Sequence, residues 1–478
     1  MTKQSLAKNT TYLTVALAIQ KLLAFVYFIF VARGIGVENT GRYSFALSFT
    51  TIFAMFLDFG LTQILIREAA RNRENSQKYL ANVIGLKLIG SVIVYGAIVL
   101  AVNLMGYPEI TRQLVYVSGL VMIIDSFSLS FFGTLRGCQN LKYESAGVVL
   151  NQLAVLLIGL LVLKLQLGLV VLIGVFLVGS LVNFLISFSA LRFKYKIKPQ
   201  IRFNLQIIKH LLVLALPFGI AGFFIRIYSS IDIVLLSKLA DDKAVGIYSV
   251  AYKIAFALQF VGVAFSASVF PAFAHCFVSS KEELAKTFTK SMYFLGVLAS
   301  PIAVGLIMLS DKIIGPVFGA AYIASSSPLK IFMLALIFIF LCFPATAILN
   351  ACNRHTRNTV HLGVIALVNT VLNLILIPIF SYNGAAFATL FTYILLFGLS
   401  MAVVGQIINY DKKYLILSFG KIILSCVLMG ILIALLNNYW HFIFIIPVAA
   451  IFYFLVLFLM KGLVKEDFFQ LRSLLFKK

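Results

Sequence analysis

The chain has 478 residues, of which 62% are hydrophobic and 12% charged, with a formal net charge of +23 and a mean hydropathy of +1.04. A soluble domain of this length carries roughly 25% charged residues, so a water-soluble globular fold is excluded. The cations are spread over short loops with no folded basic domain to hold them, which excludes nucleic-acid binding and leaves anionic lipid headgroups as their neighbours.

A helix needs about 20 apolar residues to cross a bilayer, and only helices or closed barrels satisfy their backbone there. The apolar runs are continuous rather than alternating, which argues for helices. Fourteen spans are predicted, near 10–32, 43–66, 80–105, 113–135, 145–164, 168–191, 211–236, 245–273, 288–309, 327–350, 358–379, 383–408, 415–436 and 440–461. The first is not a cleaved signal peptide, because its apolar stretch is too long and "VARGIG" is a poor cleavage site. With a cytoplasmic N-terminus, 26 of the 39 Lys and Arg fall in cytoplasmic loops and tails, 7 in outer loops and 6 within spans. This positive-inside bias predicts that both termini are cytoplasmic. Cys138, Cys276, Cys342, Cys352 and Cys426 have no paired spacing, so neither a disulfide framework nor a zinc site is expected.

The polar, glycine-marked break "FVARGIGVENTGRYSFALSF" (30–49) returns as "LLSKLADDKAVGIYSVAYKI" (235–254). At this offset Gly41, Tyr43, Ser44 and Ala46 meet Gly246, Tyr248, Ser249 and Ala251, and Arg33 meets Lys238. The same offset places Lys21 on Arg226, the central charges of spans 1 and 7. A fainter echo pairs "LRGCQNLKY" (135–143) with "LNACNRHTR" (349–357). The reading is an all-α polytopic membrane protein. Two six-helix lobes are related by a parallel pseudo-twofold axis, with two C-terminal helices appended, an architecture suited to alternating access. The divisions are 1–191 (spans 1–6), a basic cytoplasmic linker at 192–210, 211–408 (spans 7–12) and 409–478 (spans 13–14 and a basic tail). Gly41 and Gly246 are expected at matching outer turns, with Tyr43 and Tyr248 at the membrane interface.

A charge at the bilayer centre costs at least about 2.5–3.5 kcal/mol, so each asks for a reason. Lys21 and Arg226 are read as facing an anionic substrate group across one cavity. A diphosphate suits them, since Arg offers a forked donor and Lys a movable charge. The alternative is a structural salt bridge for each. Asp125 is central in span 4 and is open to three readings: neutralising Lys21, carrying a coupling proton or sodium ion, or a plain buried pair. Asp58 is expected to pair with the basic loop that follows it. Lys87 either snorkels or recruits an anionic lipid head, and it is counted with Lys21, Arg226 and Lys253 among the expected substrate-binding cations. Asp232 and Lys253 are expected to pair with each other, with an outward latch or ion site as the alternative. No ligand cluster accompanies His210, His275, His355 or His361, so no metal site is expected. Pro217, Gly219 and Gly222 precede Arg226 and mark span 7 as the expected hinge.

The opening "NTTYL", then "ARGIGVENTGRYSFALSF", then "FLDFGLTQILIREAARNR" resemble the polysaccharide flippases of the multidrug, oligosaccharidyl-lipid and polysaccharide exporter superfamily. The even spacing of the spans extends that resemblance along the chain. It implies a transporter moving a polyprenyl-diphosphate-linked oligosaccharide to the outer leaflet through a cationic cavity between two lobes. In the related lipid II flippases, arginines of the first and eighth spans are implicated. Lys21 and Lys253 correspond by span, with a different residue type. Nothing in the sequence predicts an oligomer, so a monomer is expected, and the absence of disulfide logic and of a targeting peptide fits a prokaryotic plasma membrane; the expected partners are membrane lipids and polysaccharide assembly proteins. No nucleotide-binding motif is present and no cofactor is expected; coupling to H+ or Na+ is left open. The competing readings are a cation-coupled multidrug exporter, a lipid II flippase, an integral-membrane glycosyltransferase or polymerase, and a non-transporting scaffold. A drug exporter would need an acidic cavity, and an enzyme would need a long acidic outer loop.

Overall fold

The computed structural model describes residues 3–72 and 75–462, with side chains from Thr11 onward; the basic tail expected after the last span lies outside them. The chain forms two compact units that divide between Gly246 and Ile247.

The first unit opens with α1 (Lys3–Asp58), α2 (Leu61–Arg71), α3 (Ser76–Leu104) and α4 (Glu109–Gly137). It continues with α5 (Lys142–Lys164), α6 (Leu169–Ser189), one π-turn (Ala190–Lys194) and α7 (Leu205–Leu239). The first turn of α8 (Asp242–Ala257) also lies in it. α7, expected to open the second lobe, packs on α1 and α2 within this unit.

The apolar run Thr11–Asp58 is 48 residues long. At 1.5 Å per residue that is roughly 72 Å, more than twice the hydrocarbon thickness of about 30 Å. Gly36 breaks the run with φ 77° and ψ 173°, a conformation in effect restricted to glycine. The break reverses the chain. The rings of Tyr27 and Tyr43 both lie on Phe176, at centroid distances of 6.1 and 6.2 Å. Sixteen residues of straight helix would hold them about 24 Å apart. Thirteen segments among the described residues are long and apolar enough to cross a membrane. With α1 folded on itself they make the fourteen crossings expected from the sequence. Two side chains after the break occupy carbonyls at the turn: Asn39 Nδ2 donates to Ile35 O at 3.1 Å, and Thr40 Oγ1 donates to Gly36 O at 2.8 Å.

The matching break falls at Ala240 (φ −123°, ψ −114°), and Asp241 Oδ1 accepts from Ala244 N at 2.6 Å to start α8. The 205-residue offset puts Gly36 on Asp241, beside this turn. The turn expected at Gly41 therefore lies five residues earlier, and the one expected at Gly246 six residues earlier. Gly41 and Gly246 are helical, and their missing side chains permit close approach instead. A Cβ on Gly41 would overlap the carbonyl of Asp242, and one on Gly246 would overlap the carbonyl of Val37. Tyr43 and Tyr248 are buried, at 3% and 0% exposure, rather than lying outward at the interface. Their hydroxyl-bearing rings pack on Phe176 and Phe332 respectively.

The fainter echo has the same geometry twice. Gln139 and Asn353 both adopt left-handed conformations, at φ 57° and 59°. Asn140 N donates to Leu135 O at 3.1 Å, and Arg354 N donates to Leu349 O at 2.8 Å. Both are six-residue closures of the kind that ends a helix on a left-handed residue.

The second unit holds the rest of α8, then α9 (Gln259–Ser279), α10 (Lys281–Phe318), a 3-10 turn (Ala320–Ser325) and α11 (Ser326–Ala351). It ends with α12 (His355–Phe380), α13 (Tyr382–Ile407), α14 (Lys412–Leu436) and α15 (Phe442–Leu459). α11 is its centre, packed on α9, α10 and α13. α14 and α15, the two appended spans, lean on α10, where Tyr453 Oη donates to Val297 O at 3.2 Å. Lys330 pairs with Asp311 at 3.1 Å and Lys421 Nζ donates to Lys461 O at 3.1 Å, so both serve local structure.

Candidate functional site

The first unit places three membrane-embedded charges at one depth. Lys21 lies 15 residues before the Gly36 turn, Arg226 14 residues before the Ala240 turn, and Asp125 16 residues after Glu109 opens α4. At 1.5 Å per residue these are about 22, 21 and 24 Å from one face of the unit. The three starting points share that face: Arg42 Nε donates to Asp242 Oδ2 at 3.0 Å, and Lys238 Nζ donates to Met105 O at 2.7 Å.

Lys21 and Arg226 are both exposed, and neither makes an ion pair among the described residues. Asp125 is exposed on α4 with its carboxylate on the buried Ser180 hydroxyl of α6. It does not neutralise Lys21. The salt bridges weighed as the structural alternative for Lys21 and Arg226 are thus not among the ion pairs of this unit. A cation without a counter-ion at this depth is unfavourable unless it meets water or an anion.

Lys87 is a different case. Its side chain is fully buried, and Nζ donates to Asp58 Oδ1 at 2.7 Å and to Ser126 O at 2.9 Å. Asp58 also accepts from Thr62 Oγ1. The Asp58 carboxylate therefore pairs with Lys87 rather than with the basic loop after it, and Lys87 neither snorkels nor presents itself to a lipid head. The pair ties α3 and α4 to the elbow between α1 and α2, where Phe59 (φ 35°) and Gly60 (φ 78°) are both left-handed.

Asp232 is buried at 4% exposure in α7, while Lys253 is exposed on α8. Pro217 lies inside α7, which runs unbroken from Leu205 to Leu239. The glycines after it serve packing. A Cβ on Gly219 would come within 2.8 Å of the Phe59 ring, and one on Gly222 within 3.3 Å of the Met55 thioether.

Sequence reasoning missed one feature of the second unit. A cavity of about 320 Å³ lies between α9 and α11, lined by Ser266, Phe270, Phe343, Thr346 and Asn350 among others, with no charged residue. Nothing in composition marks it, because hydroxyl and amide side chains within apolar spans are common.

Residues 6–277, more than half of the chain, match the family model described as polysaccharide biosynthesis protein, and residues 217–375 match the MatE model. The capsular polysaccharide biosynthesis protein CapF of Staphylococcus aureus is 20% identical over 80% of this chain and 94% of its own length. The probable low-salt glycan biosynthesis flippase Agl15 of Haloferax volcanii is 24% identical over 81% of each. Among solved structures, the lipid II flippase MurJ in an inward closed conformation superposes with a TM-score of 0.76, covering 93% of this chain and 97% of that one at 20% identity. An inward-facing multidrug resistance MATE transporter superposes with a TM-score of 0.61 at 15% identity, covering 81% of this chain and 95% of its own. At these identities the superpositions establish the fold, and the family model establishes the relationship. The chain is a multi-pass membrane protein that belongs to the polysaccharide biosynthesis protein family.

Proposed function

We propose that the protein flips a polyprenyl-diphosphate-linked oligosaccharide from the cytoplasmic to the outer leaflet of a prokaryotic plasma membrane, by alternating access, for cell-surface polysaccharide assembly. The observation that carries this reading is the pair Lys21 and Arg226: two exposed cations at one membrane depth, each without an acidic partner among the described residues. A diphosphate is the group in a lipid-linked glycan that such a pair recognises. The relatives named as glycan and capsule biosynthesis proteins support the same substrate class. Flipping breaks no covalent bond, so the protein acts as a transporter rather than an enzyme, with both termini cytoplasmic. Lys253, exposed in the second unit, is proposed separately as a further substrate-contacting cation.

The test is leaflet transfer of a fluorescent polyprenyl-diphosphate oligosaccharide in proteoliposomes. The double change Lys21→Ala, Arg226→Ala is expected to reduce transfer by about two orders of magnitude or more, since each charged hydrogen bond is worth about 1.5–3 kcal/mol. Equal transfer by both proteins would make the two charges structural. Export of an organic cation in place of the lipid would instead favour the multidrug reading.

Asp125 is the acid at the same depth, and we assign it the coupling role for H+ or Na+. Asp125→Asn is expected to remove the dependence of transfer on an imposed proton or sodium gradient while leaving binding of the lipid intact. Unchanged gradient dependence would move coupling elsewhere.

A further inference from the structure

Residues 192–209 run from the π-turn after α6 into the first turn of α7 and carry Arg192, Lys194, Lys196, Lys198, Arg202 and Lys209. No Asp or Glu occurs between Glu144 and Asp232. All six cations are exposed, and none forms an ion pair among the described residues. A loop of this composition would ordinarily be a solvated tether. Here the backbone is fixed. Tyr195 N donates to Ala190 O at 3.1 Å and Ile197 N to Leu191 O at 3.0 Å, continuing the π-turn that ends α6. Ile197 is buried in the core formed by α2, α3, α4 and α7. Arg202 N donates to Ala81 O at 3.2 Å, and Asn204 N to Asn82 Oδ1 at 2.7 Å, which anchor the segment on α3. Gly85 makes that approach possible, since a Cβ there would fall 2.6 Å from Arg202 O.

The segment is thus an ordered ledge with its charges turned out. Between them stand Phe193, Ile201, Phe203 and Leu205, of which Phe193 and Leu205 are 76% and 83% exposed. Apolar side chains at that exposure are unfavourable in water. Both ends of the ledge are ends of membrane-crossing helices, so it is confined to the headgroup layer. Cations interleaved with exposed rings and aliphatic chains, at that height, match the phosphate and acyl boundary of an anionic leaflet.

We propose that residues 192–209 form a binding ledge for anionic phospholipid headgroups, separate from the transport cations and independent of the substrate proposed for them. Lys194, Lys196 and Lys198 hold the phosphates while Phe193, Ile201 and Phe203 seat in the acyl boundary.

The test is lipid retention by the full chain in non-ionic detergent, read by native mass spectrometry after titration with phosphatidylglycerol or phosphatidylcholine. Wild type is expected to retain phosphatidylglycerol selectively. Lys194→Gln, Lys196→Gln, Lys198→Gln together are expected to weaken that retention by about fivefold for each cation removed. A control, Lys281→Gln, Lys412→Gln, Lys413→Gln, removes the same charge from exposed positions of the second unit and is expected to leave retention unchanged. Raising salt from about 0.1 to 1 M, which shortens the Debye length from about 10 to 3 Å, is expected to release the lipid from wild type without any substitution. Equal losses in both variants would reduce the effect to net charge and overturn the proposal. So would equal retention of the two lipids by wild type, or displacement of phosphatidylglycerol by an equimolar polyprenyl diphosphate, which would make the ledge part of the substrate path.

Discussion

Asp58→Ala is expected to destabilise the protein by about 3–5 kcal/mol, the cost of leaving a buried charge without its partner. Lys87 is fully enclosed, whereas the Asp58 side chain retains 22% of its exposure. The two single changes are therefore unequal. Removing the carboxylate strands an ammonium among α1, α3 and α4 with only Ser126 O as acceptor. Removing the ammonium, as in Lys87→Met, leaves a carboxylate that still accepts from Thr62 and reaches water, so its cost is expected to be smaller. The double replacement Asp58→Leu, Lys87→Met removes both charges and is expected to recover most of the loss, because apolar groups of similar volume substitute well for a buried pair. Thermal unfolding in detergent, run as a double-mutant cycle, reads all three. Equal losses for the two single changes, or a double variant no better than Asp58→Ala, would show that the pair does not hold the elbow between α1 and α2.

The span count was legible because apolar length is a requirement that each crossing helix meets within its own sequence. The two echoes were legible for a related reason. Helix ends need particular residues locally, and Gln139 and Asn353 end their helices with the same left-handed closure. What the sequence did not assign was the use of each glycine. "GIGVENTG" marks a break, but Gly34, Gly36 and Gly41 do three different things. Gly34 packs on Leu163, Gly36 reverses the chain, and Gly41 meets another backbone. The last use depends on residues about 200 positions away. The Lys87 pairing was hidden for the same reason. Its partner lies 29 residues back on another helix, and only the rotation of α3 against the end of α1 brings the two together. Lys21, Arg226 and Asp125 were legible as central charges. Their open side chains and the Ser180 contact of Asp125 were not, because exposure depends on neighbours that hydropathy does not name.

Gly41→Ala and Gly246→Ala are each expected to cost about 3 kcal/mol or more, at the upper end of overpacking penalties. In each case the added methyl meets backbone. The carbonyl of Asp242 blocks one and the carbonyl of Val37 blocks the other, and no rotamer change clears either. Relief requires the two segments to separate, which also pulls Arg42 Nε from Asp242 Oδ2, now 3.0 Å apart. Both changes force the same separation, so the double variant is expected to fall well short of the sum. Gly36→Ala has open space around its Cβ and bears only conformational strain, about 1–3 kcal/mol. Gly96→Ala, on α3 with nothing near its Cβ, is expected to be neutral or to stabilise by up to about 1 kcal/mol. The order of melting temperatures should thus be Gly96→Ala at or above wild type, then Gly36→Ala, then the two close-approach variants. Gly41→Ala and Gly246→Ala melting with Gly96→Ala would mean that these two helix starts do not touch in the membrane. The repeated break would then serve only to turn the chain, and the contact between its two copies would have no part in holding the first unit together.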